Sequence, residues 1–236
     1  MAAPYATAHL LDFRATPEDS PSPFFPSLVP AQHPPAAVSV IDRPLVPGFA
    51  ARFGSAILAS AGWKVVLAQP VPERCVVIFY PHTTNWDTAI GLCLKFMIGL
   101  SFRFAAKDSL FRVPFLGSLL LRWGGIPVNR RERTGFIEEM AAQFQGNRVF
   151  RLAIAPEGTR SRAEFWKSGF YHLARAADVP LALGYIDFPS REIGIGGYLE
   201  LSNDVAADMA RLRAFYADKR GRHPDRQSPI RLRDEV

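Results

Sequence analysis

The run Val76-Val77-Ile78-Phe79-Tyr80 constrains this chain more than any other. It is apolar without alternation, as a strand covered on both faces is. It leads straight into Pro81-His82-Thr83-Thr84-Asn85-Trp86-Asp87, so a histidine stands at the strand's end and a carboxylate follows five residues later. Histidine is the side chain whose ordinary pKa lies nearest neutrality, and it can take a proton at working pH. A neighbouring carboxylate fixes its tautomer and stabilises the imidazolium. In one continuous helix five residues turn through about 500°, which leaves the two side chains about 140° apart. The pair meets only at a corner: His82 ends the strand, Thr83, Thr84 and Asn85 supply turn and cap, and Asp87 lies in the first helical turn. A strand-end histidine beside an unrelated helix-cap aspartate is the plain alternative, and this run alone does not choose between them.

Apolar runs and helical periods alternate along the rest of the chain. Strands are expected at residues 63–68, 74–80, 101–106, 149–155, 181–187 and 192–198, and helices at 47–62, 114–123, 134–145, 168–177 and 204–219. This is the pattern of a single α/β domain with a mixed, mostly parallel sheet flanked by helices. In the first helix Phe49, Phe53 and Ile57 recur at helical spacing, which suits either a core stripe or a helix lying in a membrane interface. Residues 1–47 hold half of the chain's 20 prolines and read as a Pro-rich, extended arm that carries His9 and His33. Residues 48–218 form the domain, and residues 219–236 read as a basic, frayed tail.

The net charge of +6 favours anionic partners such as phosphate headgroups or an anionic membrane surface. Nucleic acid is not expected, because no basic motif interleaved with aromatics is present. The two cysteines, Cys75 and Cys93, sit among apolar neighbours and read as buried thiols without zinc-like spacing. No signal peptide is apparent, and no stretch reaches the roughly 20 apolar residues of a spanning helix. The expectation is a soluble or peripheral protein.

Three further runs carry chemistry. Ala155-Pro156-Glu157-Gly158-Thr159-Arg160 follows an apolar strand, where α/β proteins place ligands. Gly158 permits close backbone approach and Arg160 offers a planar fork for phosphate. Gly124-Gly125-Ile126-Pro127-Val128-Asn129-Arg130 reads as a turn, a short strand and a basic cluster, and Lys107 stands at another strand's end. A histidine–carboxylate pair with cations at neighbouring strand ends suggests a general base acting on a hydroxyl of a phosphate-bearing substrate. The chain has no G-x-x-x-x-G-K-[ST] loop, no obvious magnesium carboxylate cluster and no G-x-S-x-G elbow.

These runs, in this order, resemble the glycerolipid acyltransferase superfamily, which includes the 1-acylglycerol-3-phosphate acyltransferases. His82 to Asp87 matches the H-x-x-x-x-D block, Gly125 to Arg130 the block ending in arginine, and Pro156 to Arg160 the P-E-G-T-R block. Val179-Pro180-Leu181-Ala182-Leu183 is similar to a weaker fourth block, and the likeness covers roughly residues 60–218. Thr84, Ala155 and Gly184 stand where the family often has Ser, Phe and Pro; these departures bear on acceptor and acyl-chain specificity.

The resemblance implies transfer of a fatty acyl group from acyl-CoA or acyl carrier protein to a lysophospholipid hydroxyl, with 1-acylglycerol-3-phosphate as the first acceptor. A lyso-ornithine lipid is the alternative acceptor, and a non-enzymatic anion-binding protein the alternative class. It implies His82 as general base oriented by Asp87, and Lys107, Arg130, Glu157, Gly158, Thr159 and Arg160 as the acceptor site, with Glu157 near a glycerol hydroxyl. It implies no metal and no cofactor beyond the acyl-donor substrate, and a peripheral place on the cytoplasmic face of the membrane.

Overall fold

The computed structural model describes residues 37–129, 135–202 and 204–233, all within one compact unit, Pro35–Val236. The strands are β1 (Ala37–Ile41), β2 (Lys64–Gln69), β3 (Arg74–Tyr80), β4 (Phe102–Lys107), β5 (Gly125–Val128), β6 (Phe150–Ile154), β7 (Leu181–Asp187) and β8 (Glu192–Leu199). The helices are α1 (Phe49–Ser60), α2 (Trp86–Ile98), α3 (Asp108–Phe111), α4 (Leu116–Arg122), α5 (Phe136–Gly146), α6 (Gly169–Ala177) and α7 (Val205–Tyr216). One sheet runs in the order β1-β2-β8-β7-β3-β6-β4-β5. Among these described strands only β1/β2 and β7/β8 pair antiparallel. The sheet is therefore mixed and mostly parallel, as the alternation of elements implied.

The unbroken apolar run of β3 is explained by its central place. Val76, Ile78 and Tyr80 enter one core, with Met140 and Phe144 of α5, Phe170 and Leu173 of α6, and Met209 and Leu212 of α7. Cys75 and Val77 enter the other, with Leu58 of α1 and Leu94, Met97 and Ile98 of α2. Each such buried side chain contributes about 1.5–3 kcal/mol of apolar transfer. The connections diverge at this strand. From β3 the chain passes through α2 on one face to β4, and from β6 it passes through α6 on the other face to β7. In open α/β sheets ligands bind in the crevice opened by such a divergence, beyond the strands' carboxyl ends.

Two expectations require correction, and one open alternative is decided. The arm was expected to extend to residue 47, but Ala37–Ile41 pairs antiparallel with β2 and forms the sheet's edge. Its Val38 and Val40 are exposed, so burial does not announce it; pairing holds it. The tail is not frayed over the described residues 219–233: Ser228 and Leu232 are buried, and Ile230 packs on the core of α5, α6 and α7. In α1 the apolar stripe faces outward rather than into the core. Phe49 is 83% and Phe53 57% exposed, while Ala51, Gly54 and Leu58 point inward. Small residues are needed there because α1 and α2 nearly touch: a Cβ on Gly54 would lie 2.8 Å from the Cys93 carbonyl oxygen.

Candidate active site

His82 leaves β3 two residues beyond its end, and α2 begins at Trp86, so Asp87 occupies the helix's first turn. One carboxylate oxygen organises the corner. Asp87 Oδ2 accepts from the backbone N–H of Thr83 at 2.7 Å and of Thr84 at 2.9 Å. The same oxygen lies 3.2 Å from His82 Nδ1. The aspartate side chain is 1% exposed and the histidine 17%. Asp87 also sits at the amino end of a 13-residue helix, where the backbone dipole favours negative charge. With Nδ1 against the carboxylate, Nε2 is the ring nitrogen left to exchange a proton. The corner geometry expected from the five-residue spacing is the one present.

The turn after β6 lies beside this corner because β3 and β6 are parallel neighbours. Gly158 takes φ +64° and donates its N–H to the Ala155 carbonyl at 3.1 Å, a conformation that glycine adopts without a Cβ penalty. Glu157 departs from the role expected of it. It is buried, and its two oxygens accept from the backbone N–H of His82 at 2.6 Å and of Ser228 at 3.0 Å. The carboxylate clamps backbone instead of facing a glycerol hydroxyl. Burial pushes its pKa above the usual carboxylate range, and the N–H groups of Ser228 and His82 pull it part of the way back.

Thr159 Oγ1 accepts from the Ser161 N–H at 3.2 Å and so closes its own turn. Arg160 is exposed just past it, and Lys107 is exposed at the end of β4. Arg130 lies outside the described residues, as do His9 and His33 in the arm. The parallel strands β3, β6, β4 and β5 are consecutive in the sheet, so His82, Glu157 to Arg160, Lys107 and Asn129 follow strand ends on one edge. At roughly 4.8 Å between strands, the ends of β3 and β4 stand about 10 Å apart.

Sequence reasoning passed over two contributors. Lys167 flanks the glycine turn: its N–H donates to the Pro156 carbonyl at 2.8 Å, and its Cγ would be 3.3 Å from a Cβ on Gly158. The tail reaches the corner through Ser228, whose carbonyl accepts from the Tyr80 hydroxyl at 2.8 Å. No local pattern marks either.

Burial pushes the Cys75 thiol up to about 12 and raises Cys93 as well, so neither is poised as a thiolate. Among the described residues no three His, Cys, Asp or Glu side chains come together as a metal site.

A model of the acyltransferase family matches residues 63–183, a span holding both the His82 corner and the Glu157 turn. The 1-acyl-sn-glycerol-3-phosphate acyltransferase of Escherichia coli K12 is 35% identical over 95 residues, 38% of this chain and 38% of that protein. The protein of the same name from Borreliella burgdorferi is 32% identical over 109 residues, 43% of this chain and 41% of its own length. The chain thus spans less than half the length of these curated relatives. The crystal structure of the 1-acyl-sn-glycerophosphate (LPA) acyltransferase PlsC from Thermotoga maritima superposes with a TM-score of 0.49 at 18% identity, over 72% of this chain and 74% of that one.

Proposed function

This chain belongs to the acyltransferase family, and we propose that it moves a fatty acyl group from a thioester, acyl-CoA or acyl carrier protein, to the hydroxyl of 1-acylglycerol-3-phosphate. The observation that carries the reading is His82 Nδ1 lying 3.2 Å from the buried Asp87 carboxylate, at a strand end beside exposed cations. His82 Nε2 takes the proton from the acceptor hydroxyl as its oxygen attacks the thioester carbonyl. The tetrahedral intermediate collapses with loss of the C–S bond. The thiolate leaves and takes the proton from the imidazolium, so the products are an ester and a free thiol. Asp87 keeps the ring oriented and balances its charge. Lys107, Arg160 and Lys167 supply positive charge for the acceptor's phosphate, and Gly158 lets backbone approach it.

The test is thiol release from oleoyl-CoA and from an acyl carrier protein thioester, against a panel of lysolipids with and without a phosphate, for wild type and His82→Ala. Transfer dependent on 1-oleoylglycerol-3-phosphate and lost in His82→Ala is expected. Equal transfer to phosphate-free acceptors would move the acceptor to another lysolipid, and acceptor-independent thiol release would make the protein a hydrolase.

A bilayer surface is the natural source of such an acceptor, and two apolar features support peripheral docking on it. Phe49 and Phe53 of α1 stack with ring centroids 5.7 Å apart, and both are exposed. Phe115, between α3 and α4, is 93% exposed, and Val113, Leu116 and Leu119 around it are exposed too. Among the described residues no helix is long and apolar enough to cross a membrane. Flotation with anionic liposomes is expected for wild type and reduced for Phe53→Glu and Phe115→Glu; wild type that stays at the bottom of the gradient removes the docking role.

A further inference from the structure

We propose that residues 219–232 form a strap that positions His82 for catalysis. The family match ends at residue 183, so the strap lies beyond it. It crosses the carboxyl ends of three strands in their order in the sheet. At β7, the Arg220 N–H donates to Asp187 Oδ1 at 2.8 Å and the Phe188 N–H donates to the Arg220 carbonyl at 3.0 Å. At β3, Gly221 packs on the corner so closely that a Cβ would lie 2.7 Å from Thr83 Oγ1, and the His223 N–H donates to that hydroxyl at 3.2 Å. At β6, the Ser228 N–H holds Glu157 Oε1, and Ser228 Oγ accepts from the Ala163 N–H at 3.0 Å. Beyond it, the Trp166 N–H donates to the Arg231 carbonyl at 2.9 Å.

Three of these contacts converge on the chain around one residue, through Thr83, Tyr80 and Glu157. Thr83 follows His82, and the Tyr80 hydroxyl, two residues before it, donates to the Ser228 carbonyl. The His82 N–H itself is held by Glu157, whose other oxygen the strap holds. None of these hydrogen bonds is to the imidazole ring. The strap restrains the chain that carries the ring, and a ring displaced by about 1 Å from its productive place costs on the order of 100-fold in rate. Ser228, Thr83 and Gly221 are in this sense positioning residues. The inference deepens the proposed acyl transfer and, for its rate consequences, rests on it.

Two paired substitutions in the full chain separate positioning from simple stabilisation. Ser228→Pro deletes the N–H on Glu157, and Gln227 already has the extended φ −67°, ψ 125° that a residue before proline needs. Ser228→Ala keeps that N–H. Thr83→Val deletes the acceptor of the His223 N–H, and Thr83→Ser restores it. With oleoyl-CoA and 1-oleoylglycerol-3-phosphate in mixed micelles, Ser228→Pro and Thr83→Val should lose about 10- to 100-fold in kcat with little change in either KM. Ser228→Ala and Thr83→Ser should each retain kcat to within about threefold. If Ser228→Pro does not fold, the Thr83 pair decides.

Hydrogen exchange at the amides of residues 82–84, read by NMR, needs no activity. It should speed up about tenfold or more in Thr83→Val while the amides of α6 keep their wild-type rates. Losses confined to KM, failure of Thr83→Ser to rescue, or unchanged exchange at residues 82–84 overturns the strap. A wild type inactive on every thioester with exchange responding as expected overturns the acyl-transfer reading and leaves the strap standing.

Discussion

Asp87→Asn is an informative substitution because one carboxylate oxygen accepts both backbone hydrogen bonds and faces the imidazole. Asp87 Oδ2 accepts from Thr83 and Thr84 and faces His82 Nδ1, while Oδ1 is buried without a hydrogen-bond donor among the described residues. The two backbone donors dictate which end of an asparagine amide faces them. Its oxygen takes the place of Oδ2 and its NH2 takes the place of Oδ1, so all three contacts persist and the charge is deleted, while the NH2 lies buried without an acceptor among the described residues at about 1–3 kcal/mol. A unit charge 3.2 Å from the ring is worth about 5 kcal/mol to a full imidazolium at an effective dielectric near 20. With the proton half transferred in the transition state, about 2–3 kcal/mol bears on kcat, which is a loss of about 30- to 150-fold. Asp87→Ala instead strips the acceptor from both backbone N–H groups, at about 1–3 kcal/mol for each that stays buried and unpaired. The assay is thiol release from oleoyl-CoA at saturating acceptor, beside thermal unfolding of each protein. Asparagine should lose rate with a smaller drop in melting point than alanine, and alanine should lose both rate and the two backbone hydrogen bonds. An asparagine variant with kcat within about threefold of wild type, or one that melts with alanine, refutes the charge-based role of Asp87.

Glu157 makes acid stability diagnostic. Its pKa in the fold is raised above the ordinary 4.5 by burial. The folded chain therefore keeps a proton that the unfolded chain has already released. Its stabilising contribution is complete below that ordinary value and is lost as pH rises through the folded one. Glu157→Gln cannot titrate, so the stability of wild type relative to this variant should fall from pH 4.5 toward neutrality in urea unfolding; a flat or rising difference contradicts the burial account. Tyr80→Phe removes the donor to the buried Ser228 carbonyl and should cost about 1–2 kcal/mol, or roughly 2–8 °C of melting temperature. An unchanged melting point would show that this bond contributes nothing.

The parts legible in the sequence are those where local chemistry and global placement agree. Strands β3 and β7 have the expected bounds because burial on both faces writes itself as an unbroken apolar run. The His82–Asp87 pair was legible because corner, cap and carboxylate lie within six residues. The edge strand β1 was missed because its exposed Val38 and Val40 sit in a proline-rich stretch, and its partner β2 lies a helix away. In α1 the apolar spacing was read, but its direction was not. Direction depends on how near Cys93 comes to Gly54, and helical period carries no information on that.

The misreading of Glu157 has the same origin and the wider consequence. A glutamate next to Gly, Thr and Arg in a turn has every local mark of a solvent-facing ligand. Its burial is decided by two N–H donors, one 75 residues before it and the other 71 after it. Backbone donors belong to every residue except proline, so nothing in residue type distinguishes Ser228 as one of them. Where a motif residue's partners are side chains, its role is written in the motif. Where the partners are backbone, the role is written in the path of the chain. Arg160 and Lys107 are exposed to solvent. His82 is different: its ring is held by the motif and its backbone by the tail. A sequence match that ends at residue 183 therefore contains the His82–Asp87 pair without containing all that holds the backbone beside it.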